Sequence, residues 1–308
     1  MSENTPRVVN IKNWVDRAKR DPAIYIERQA TEVVLSAIGS VPGYGSRIFL
    51  KGGILMAVVY QSPRGTADID FTTDLEPSPD LPSELRDGIN KELARAAARL
   101  GLPDLVMRVQ RVEERPRPFK TADVRFPALY VTVAYAKRGS KGEQHVTNGQ
   151  GQHIIELEIS FNEPVHAIEV VQFGERGPSF SAYALTDLIA EKFRALLQQV
   201  TRNRYRRQDV YDIAYLAERF PLDDGERAAI LASFQDKCAA RGIVPTIDSI
   251  SNPDVSNRAR SEWDTLRQEI GEVPDFDKCF HKVEALYRAL PWTPSPGIDS
   301  TSLLRAAK

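Results

Sequence analysis

Asp68-Ile69-Asp70 is the most suggestive piece of potential chemistry in the chain. Along a strand, side chains two apart project from one face, so both carboxylates converge while Ile69 turns to the core. Two adjacent anions repel unless a cation lies between them. Mg2+ suits such a pair, because it takes oxygen ligands, keeps several waters and binds through one or two carboxylates plus substrate phosphates. Alone, an Asp-x-Asp is more often a solvated strand face or a turn, but the preceding segment changes the reading. Gly52-Gly53 separates a short apolar strand, Ile48-Phe49-Leu50, from a run with helical spacing, Ile54, Leu55, Val58 and Val59. Glycine lets other groups approach the backbone closely. A helix N-terminus turns free N–H groups and a positive dipole end toward an anion. Strand, Gly-Gly turn, helix and second strand thus set a phosphate cradle beside a metal, an arrangement for phosphoryl chemistry.

The elements that must position these groups follow from periodicity. Ile24, Ile26, Ala30, Val33, Val34, Ala37 and Ile38 recur at three- and four-residue spacing and predict a helix stopped by Gly39. Ser62-Pro63-Arg64-Gly65 breaks the run after the glycines, and Asp68 to Phe71 alternates as a half-buried strand. Leu75 to Pro82 reads as a proline-rich loop and Leu85 to Leu100 as an amphipathic helix. Strands are predicted at 105–112, 128–136, 154–161 and 169–173. Between the second and third, Lys137 to Gln152 reads as an exposed hairpin or mobile loop. From Thr186 the pattern is almost wholly helical, at 187–200, 209–219, 224–241 and 276–289. The fold class is therefore α+β, with residues 1–180 carrying the sheet and 181–308 forming a helical domain. The tail after Pro291 holds Pro, Ser and Gly and reads as partly disordered.

The run Lys51-Gly52-Gly53-Ile54-Leu55, followed by Arg64-Gly65-Thr66-Ala67-Asp68-Ile69-Asp70-Phe71, resembles the first motif of the AbiEii/AbiGii-type nucleotidyltransferase toxins, of the DNA polymerase β-like nucleotidyltransferase superfamily. Thr66 stands where the family usually has Ser and keeps the hydroxyl. Asp187-Leu188-Ile189-Ala190-Glu191-Lys192 is similar to the family's helical motif ending in an essential Lys, and Arg207-Gln208-Asp209-Val210-Tyr211-Asp212 to its Arg-x-x-Asp-x-Tyr-Asp segment. Trp263 and the helix near Phe280 to Leu290 are loosely similar to its helical C-terminal region. The resemblance implies a nucleotidyltransferase-fold mixed sheet with flanking helices, and a helical domain that contributes to the active site. It implies Mg2+ held by Asp68 and Asp70, with a third carboxylate on a neighbouring strand. Glu158 fits that role and Glu156 is the alternative, since both lie on one face of the strand at 154–161. Gly52, Gly53 and Thr66 would hold the NTP, Lys192 would neutralise its triphosphate, and Asp209, with Asp212 one turn on, would join the catalytic set. A tRNA 3′ end as acceptor, growth inhibition as the outcome, and a separately encoded antitoxin as partner are further implications.

Read without the resemblance, these later residues stay open. Lys192 is equally a snorkelling surface lysine, and Asp209 an anion favoured by a helix start. Arg202, Arg204, Arg206 and Arg207 flank Tyr205 in the one dense basic patch, the expected RNA contact, although it reads equally as a solvated interhelix loop. The formal net charge of −1 supplies no global field for nucleic acid. Cys238 and Cys279 suggest no disulfide framework, and Cys279 with His281 lacks further zinc ligands. With no apolar leader after Met1 and no apolar run near the ~20 residues a bilayer needs, a cytoplasmic protein is expected. No G-x-G-x-x-G follows a strand, which disfavours a Rossmann-type dinucleotide site. The competing readings are nucleotidylation of a protein or of a small molecule such as an aminoglycoside, and a non-catalytic nucleotide-binding module.

Overall fold

The computed structural model describes residues 5–117, 125–175 and 177–292. The chain begins with β1 (Arg7–Val9), α1 (Ile11–Asp16) and α2 (Pro22–Gly39). Asp21 accepts hydrogen bonds from the N–H groups of Ala23 and Ile24, and Pro22 follows it, so α2 starts where local chemistry favours a start. Next come β2 (Ile48–Lys51), α3 (Gly52–Val58), β3 (Ile69–Thr73) and α4 (Leu81–Arg99). Then follow β4 (Leu105–Arg115), β5 (Ala128–Lys137), α5 (Lys141–Thr147), β6 (Ile154–Phe161), β7 (Ile168–Phe173) and β8 (Ser179–Tyr183). Helices α6 (Leu185–Thr201), α7 (Arg207–Arg219), α8 (Asp224–Ala239), α9 (Pro253–Arg260), α10 (Arg267–Ile270) and α11 (Phe276–Arg288) complete the described chain.

The strands form one mixed eight-stranded sheet in the order β1-β7-β8-β2-β3-β6-β5-β4. β2 and β3 pair antiparallel while β3 and β6 run parallel, which brings three segments distant in sequence to the middle of the sheet. Along β3 and β6 the alternation holds around the site, and both strands are buried throughout toward their C-terminal ends. Ile69, Phe71, Leu157 and Ile159 are buried, and Asp70 and Glu158 between them are only partly covered. A single hydrophobic cluster runs from the sheet into the helices through Leu188, Phe193, Val210 and Phe234.

Several features depart from the sequence reading, among them α1, α9 and α10, which it does not contain. Lys137 to Gln152 is not all loop: it contains α5, and Val146 of that helix is buried against Ala134 and Ala136. The polar, glycine-rich composition hid a short helix with one apolar anchor. Gly151 serves close packing there, because a Cβ on it would stand 2.5 Å from the Ala134 side chain. The proline-rich stretch before α4 gives the helix its first residues, Leu81 and Pro82, since Pro is compatible with a first turn. Strands β1 and β8, of three and five residues, are further elements outside the sequence reading. The tail from 293 onward lies outside the described residues.

Candidate active site

The site is built across the sheet, one residue per strand. Lys51 of β2 is in register with Asp70 of β3, Asp70 with Glu158 of β6, and Glu158 with Tyr130 of β5. Paired residues project from the same face, and neighbouring strands are about 4.8 Å apart. A basic side chain, two carboxylates and a phenol therefore stand in a row. Asp68 lies one residue before β3, exposed, and lines the same cleft as Asp70 and Glu158. Glu156, two residues before Glu158, is exposed and is not part of the cleft lining.

Gly52 opens α3 with φ of +72°, and a Cβ there would run into Oδ2 of Asp70. Only glycine satisfies both demands. At Gly53 a Cβ would stand 2.8 Å from Oγ1 of Thr66, so the second glycine leaves room for that hydroxyl. No side chain caps the start of α3, and both glycines line the cleft. Uncapped N–H groups of a first helical turn are suited to phosphate oxygens.

Electrostatics set the character of the carboxylates. Burial pushes the Asp70 carboxyl up to about 6, with Glu158 and Asp68 adding to the rise and Lys51 and Lys192 opposing it. A cation arriving between these anions relieves both penalties. Among the described residues no three His, Cys, Asp or Glu side chains lie close enough to enclose an ion by themselves. The donor set still fits Mg2+, which needs only one or two carboxylates when phosphates and waters supply the remaining oxygens.

Lys192 is buried, and its Nζ donates to Asp209 Oδ1 at 3.1 Å and to Asp212 Oδ2 at 2.6 Å. Burial lowers its proton affinity, but Asp212 and Asp209 outweigh this and hold it charged. Arg64 binds both oxygens of Asp212, Nε at 3.0 Å and Nη2 at 3.1 Å, and donates to Glu269 at 3.0 Å. Asp212 is fully buried. Burial alone would raise its pKa, but Lys192 and Arg64 hold it below the ordinary range. Lys192 and Asp209 line the cleft, whereas Asp212 ties them to Arg64 from behind the lining. Lys192 therefore spends two of its three donors on protein carboxylates.

A second ionic group was not legible in the sequence. Lys51 Nζ pairs with Glu163 and lies 3.5 Å from Ser160 Oγ, and Arg241 holds Glu163 from the other side at 2.9 Å. Burial disfavours the Lys51 charge, but Glu163, Glu191 and Asp70 more than restore it. Lys51 adjoins the glycines, which was a usable signal. Glu163 lies 112 residues away and has no local signature. Of the basic patch, Arg202, Arg204 and Arg206 line the cleft. Arg207 is not in the cleft lining and lies 3.5 Å from Glu262 and 3.9 Å from Glu269. Cys238 and Cys279 are free and buried.

Comparison with known proteins identifies the family. The family model described as "Nucleotidyl transferase AbiEii toxin, Type IV TA system" matches residues 33–282. Among solved structures, MenT4, a nucleotidyltransferase toxin from Mycobacterium tuberculosis H37Rv, superposes with a TM-score of 0.53 at 17% identity, covering 97% of this chain and 93% of that one. JHP933 from Helicobacter pylori gives 0.48 at 12% identity, covering 88% and 92%. No curated protein matches. The family model spans the glycine turn, both aspartates and the Arg64–Asp212–Lys192 cluster, and the chain belongs to the AbiEii nucleotidyltransferase toxin family.

Proposed function

We propose that the chain transfers a nucleoside monophosphate from an NTP to the terminal hydroxyl of an RNA strand, a tRNA 3′ end being the acceptor the family resemblance implies. The order of groups across the sheet carries this reading. In an in-line displacement, the attacking hydroxyl and the leaving pyrophosphate lie on opposite sides of the α-phosphate. The Gly52-Gly53 turn, suited to the triphosphate, is on the β2 side of the carboxylates. On the β5 side an adjoining cleft of about 560 Å3 shares Glu158, Ser160, Glu163, Gln198, Arg202 and Arg241 with the first and adds Arg115, Arg125, Phe126 and Tyr130. The Arg115 guanidinium lies 3.9 Å from the centre of the Tyr130 ring and that of Arg241 3.5 Å from Phe126. Arginines interleaved with aromatic faces suit a single strand of nucleic acid, and they repel a polycationic aminoglycoside.

Asp68 and Asp70 would hold Mg2+ brought in with the triphosphate, with Glu158 beside them, and the ion would supply charge neutralisation at the phosphates. The acceptor oxygen forms a bond to the α-phosphorus, the bond to the β-phosphate oxygen breaks, and pyrophosphate leaves. The hydroxyl proton passes to Glu158, which faces the acceptor cleft. Arg202, Arg204 and Arg206, with the third donor of Lys192, offset the triphosphate charge. In this reading residues 1–180 bind the nucleotide's reacting end, and the helical part from 181 completes its enclosure.

The test is incorporation of label from each α-labelled NTP with total tRNA and Mg2+, using Asp68→Ala and Asp70→Ala as controls. Label on tRNA from the wild type, reduced about 10³-fold in either variant, is the expected result. Label on protein instead would replace the acceptor. An Asp70→Ala chain that still transfers at the wild-type rate overturns the assignment.

A further inference from the structure

The loop after α3 borders two separate concavities. Arg64, Thr66 and Asp68 line the catalytic cleft. Gln61 to Pro63, a few residues earlier, line another of about 590 Å3, which shares no lining residue with the first. Its walls bring together Arg17 after α1, Arg28 of α2 and Arg219 of α7, and no acidic residue lines it. The buried cations Lys51, Arg64, Lys192 and Arg194 have carboxylate partners. Among the described residues Arg17, Arg28 and Arg219 have none within 4.0 Å.

Arg17 and Arg219 are exposed and Arg28 is half-buried, and each guanidinium contacts a protein group that orients it. Arg28 lies over the Trp14 ring, 4.8 Å from its centre, and donates to the Trp14 carbonyl at 2.5 Å. Arg219 lies 4.5 Å over the Tyr215 ring, and the Tyr215 hydroxyl donates to the carbonyls of Tyr60 and Gln61 at 3.1 and 2.9 Å. Arg17 donates to the Gln61 side chain at 2.9 Å. Each guanidinium has five N–H donors, so most of each fork remains unused. Burial and the nearby Arg17 charge hold Arg28 below its ordinary proton affinity, and Glu27 only partly offsets them. Three like charges oriented by stacking and hydrogen bonds, with no carboxylate within 4.0 Å among the described residues, form a receptor suited to an anion. Its volume exceeds a single ion and lies in the range of ligand pockets. Planar arginine forks match phosphate oxygens bidentately.

We propose that this concavity is a second phosphate-binding site, separate from the catalytic cleft, in which Arg17, Arg28 and Arg219 hold the phosphate groups of a nucleic-acid strand or of a nucleotide. It does not depend on which acceptor the catalytic cleft uses. The occupant would press on the Gln61 end of the segment that carries Arg64 and Asp68.

Arginine modification by phenylglyoxal, mapped by peptide mass, reads the site residue by residue and independently of catalysis. The probes are a short single-stranded oligoribonucleotide, ATP without Mg2+, and a poly-glutamate peptide, each against chloride at matched ionic strength. The expected result is modification of Arg17 and Arg219 slowed about tenfold by at least one phosphate probe. Protection by the oligoribonucleotide alone identifies the strand as source, and protection by ATP identifies the nucleotide. Equal rates with and without both phosphate probes, or protection by poly-glutamate alone, overturn the proposal. So does an Arg17→Ala/Arg219→Ala chain with wild-type melting in which the phosphate probe still protects Arg28 fully.

Discussion

At the scale of single residues, the chain tolerates carboxylates where burial disfavours them, and two cases have different measurable outcomes. Glu32 of α2 is buried far from the cleft, and burial pushes its carboxyl up from 4.5 to about 7, with Asp16 adding and Lys12 opposing. The folded chain therefore binds this proton more tightly than the unfolded chain. Its stabilising effect is fully present below about pH 4.5 and is lost as pH rises to about 7. Glu32→Gln removes the ionisation, so its melting temperature should exceed that of the wild type at pH 8, by roughly 1–3 kcal/mol of stability, with the gap closing near pH 4. A gap that does not change with pH would show that Glu32 does not ionise as described. Under the proposed function Asp70 is the counterpart, and Asp70→Asn should abolish transfer while leaving thermal stability unchanged or raised. Asp70 was legible because Asp68-Ile69-Asp70 is local. Glu163, Arg241 and Tyr130 were not, because their proximity to the site comes from strand pairing and helix docking between segments far apart in sequence.

At the scale of elements, the turn into α3 is the least replaceable piece. Gly52 combines a positive φ with contact against Asp70. Gly52→Ala should cost about 1–2 kcal/mol from the backbone alone and displace Asp70 as well. Urea unfolding together with NTP binding checks both effects. A variant with wild-type stability and wild-type NTP affinity would show that the turn is not a phosphate cradle. The strands and helices around this turn could be read from periodicity because each carries several apolar residues at its own repeat. Helix α5 could not, because Val146 is its one buried residue.

At the scale of the whole molecule, the Arg64–Asp212–Lys192 cluster joins the segment before β3 to α6 and α7, and Glu269 extends it to α10. Asp212→Asn leaves Lys192 and Arg64 as buried neighbours of like charge, and should cost about 3–5 kcal/mol in denaturant unfolding. Arg64→Lys should restore little of the function lost in Arg64→Ala, because an ammonium cannot span both oxygens of Asp212. Full activity in Arg64→Lys would show that a point charge is enough. Among the described residues no helix is long and apolar enough to cross a membrane.

Glu269 follows Arg64 by 205 residues. A chain emerging from the ribosome at about 5–20 residues per second thus exposes its glycine turn and aspartates many seconds before their last supports exist. Until α7 and α10 have been made and docked, Arg64 has neither Asp212 nor Glu269 to hold it, and Lys192 lacks both of its carboxylates. The ionic cluster around Arg64 and Lys192 is thus complete only once α7 and α10 have been made and docked.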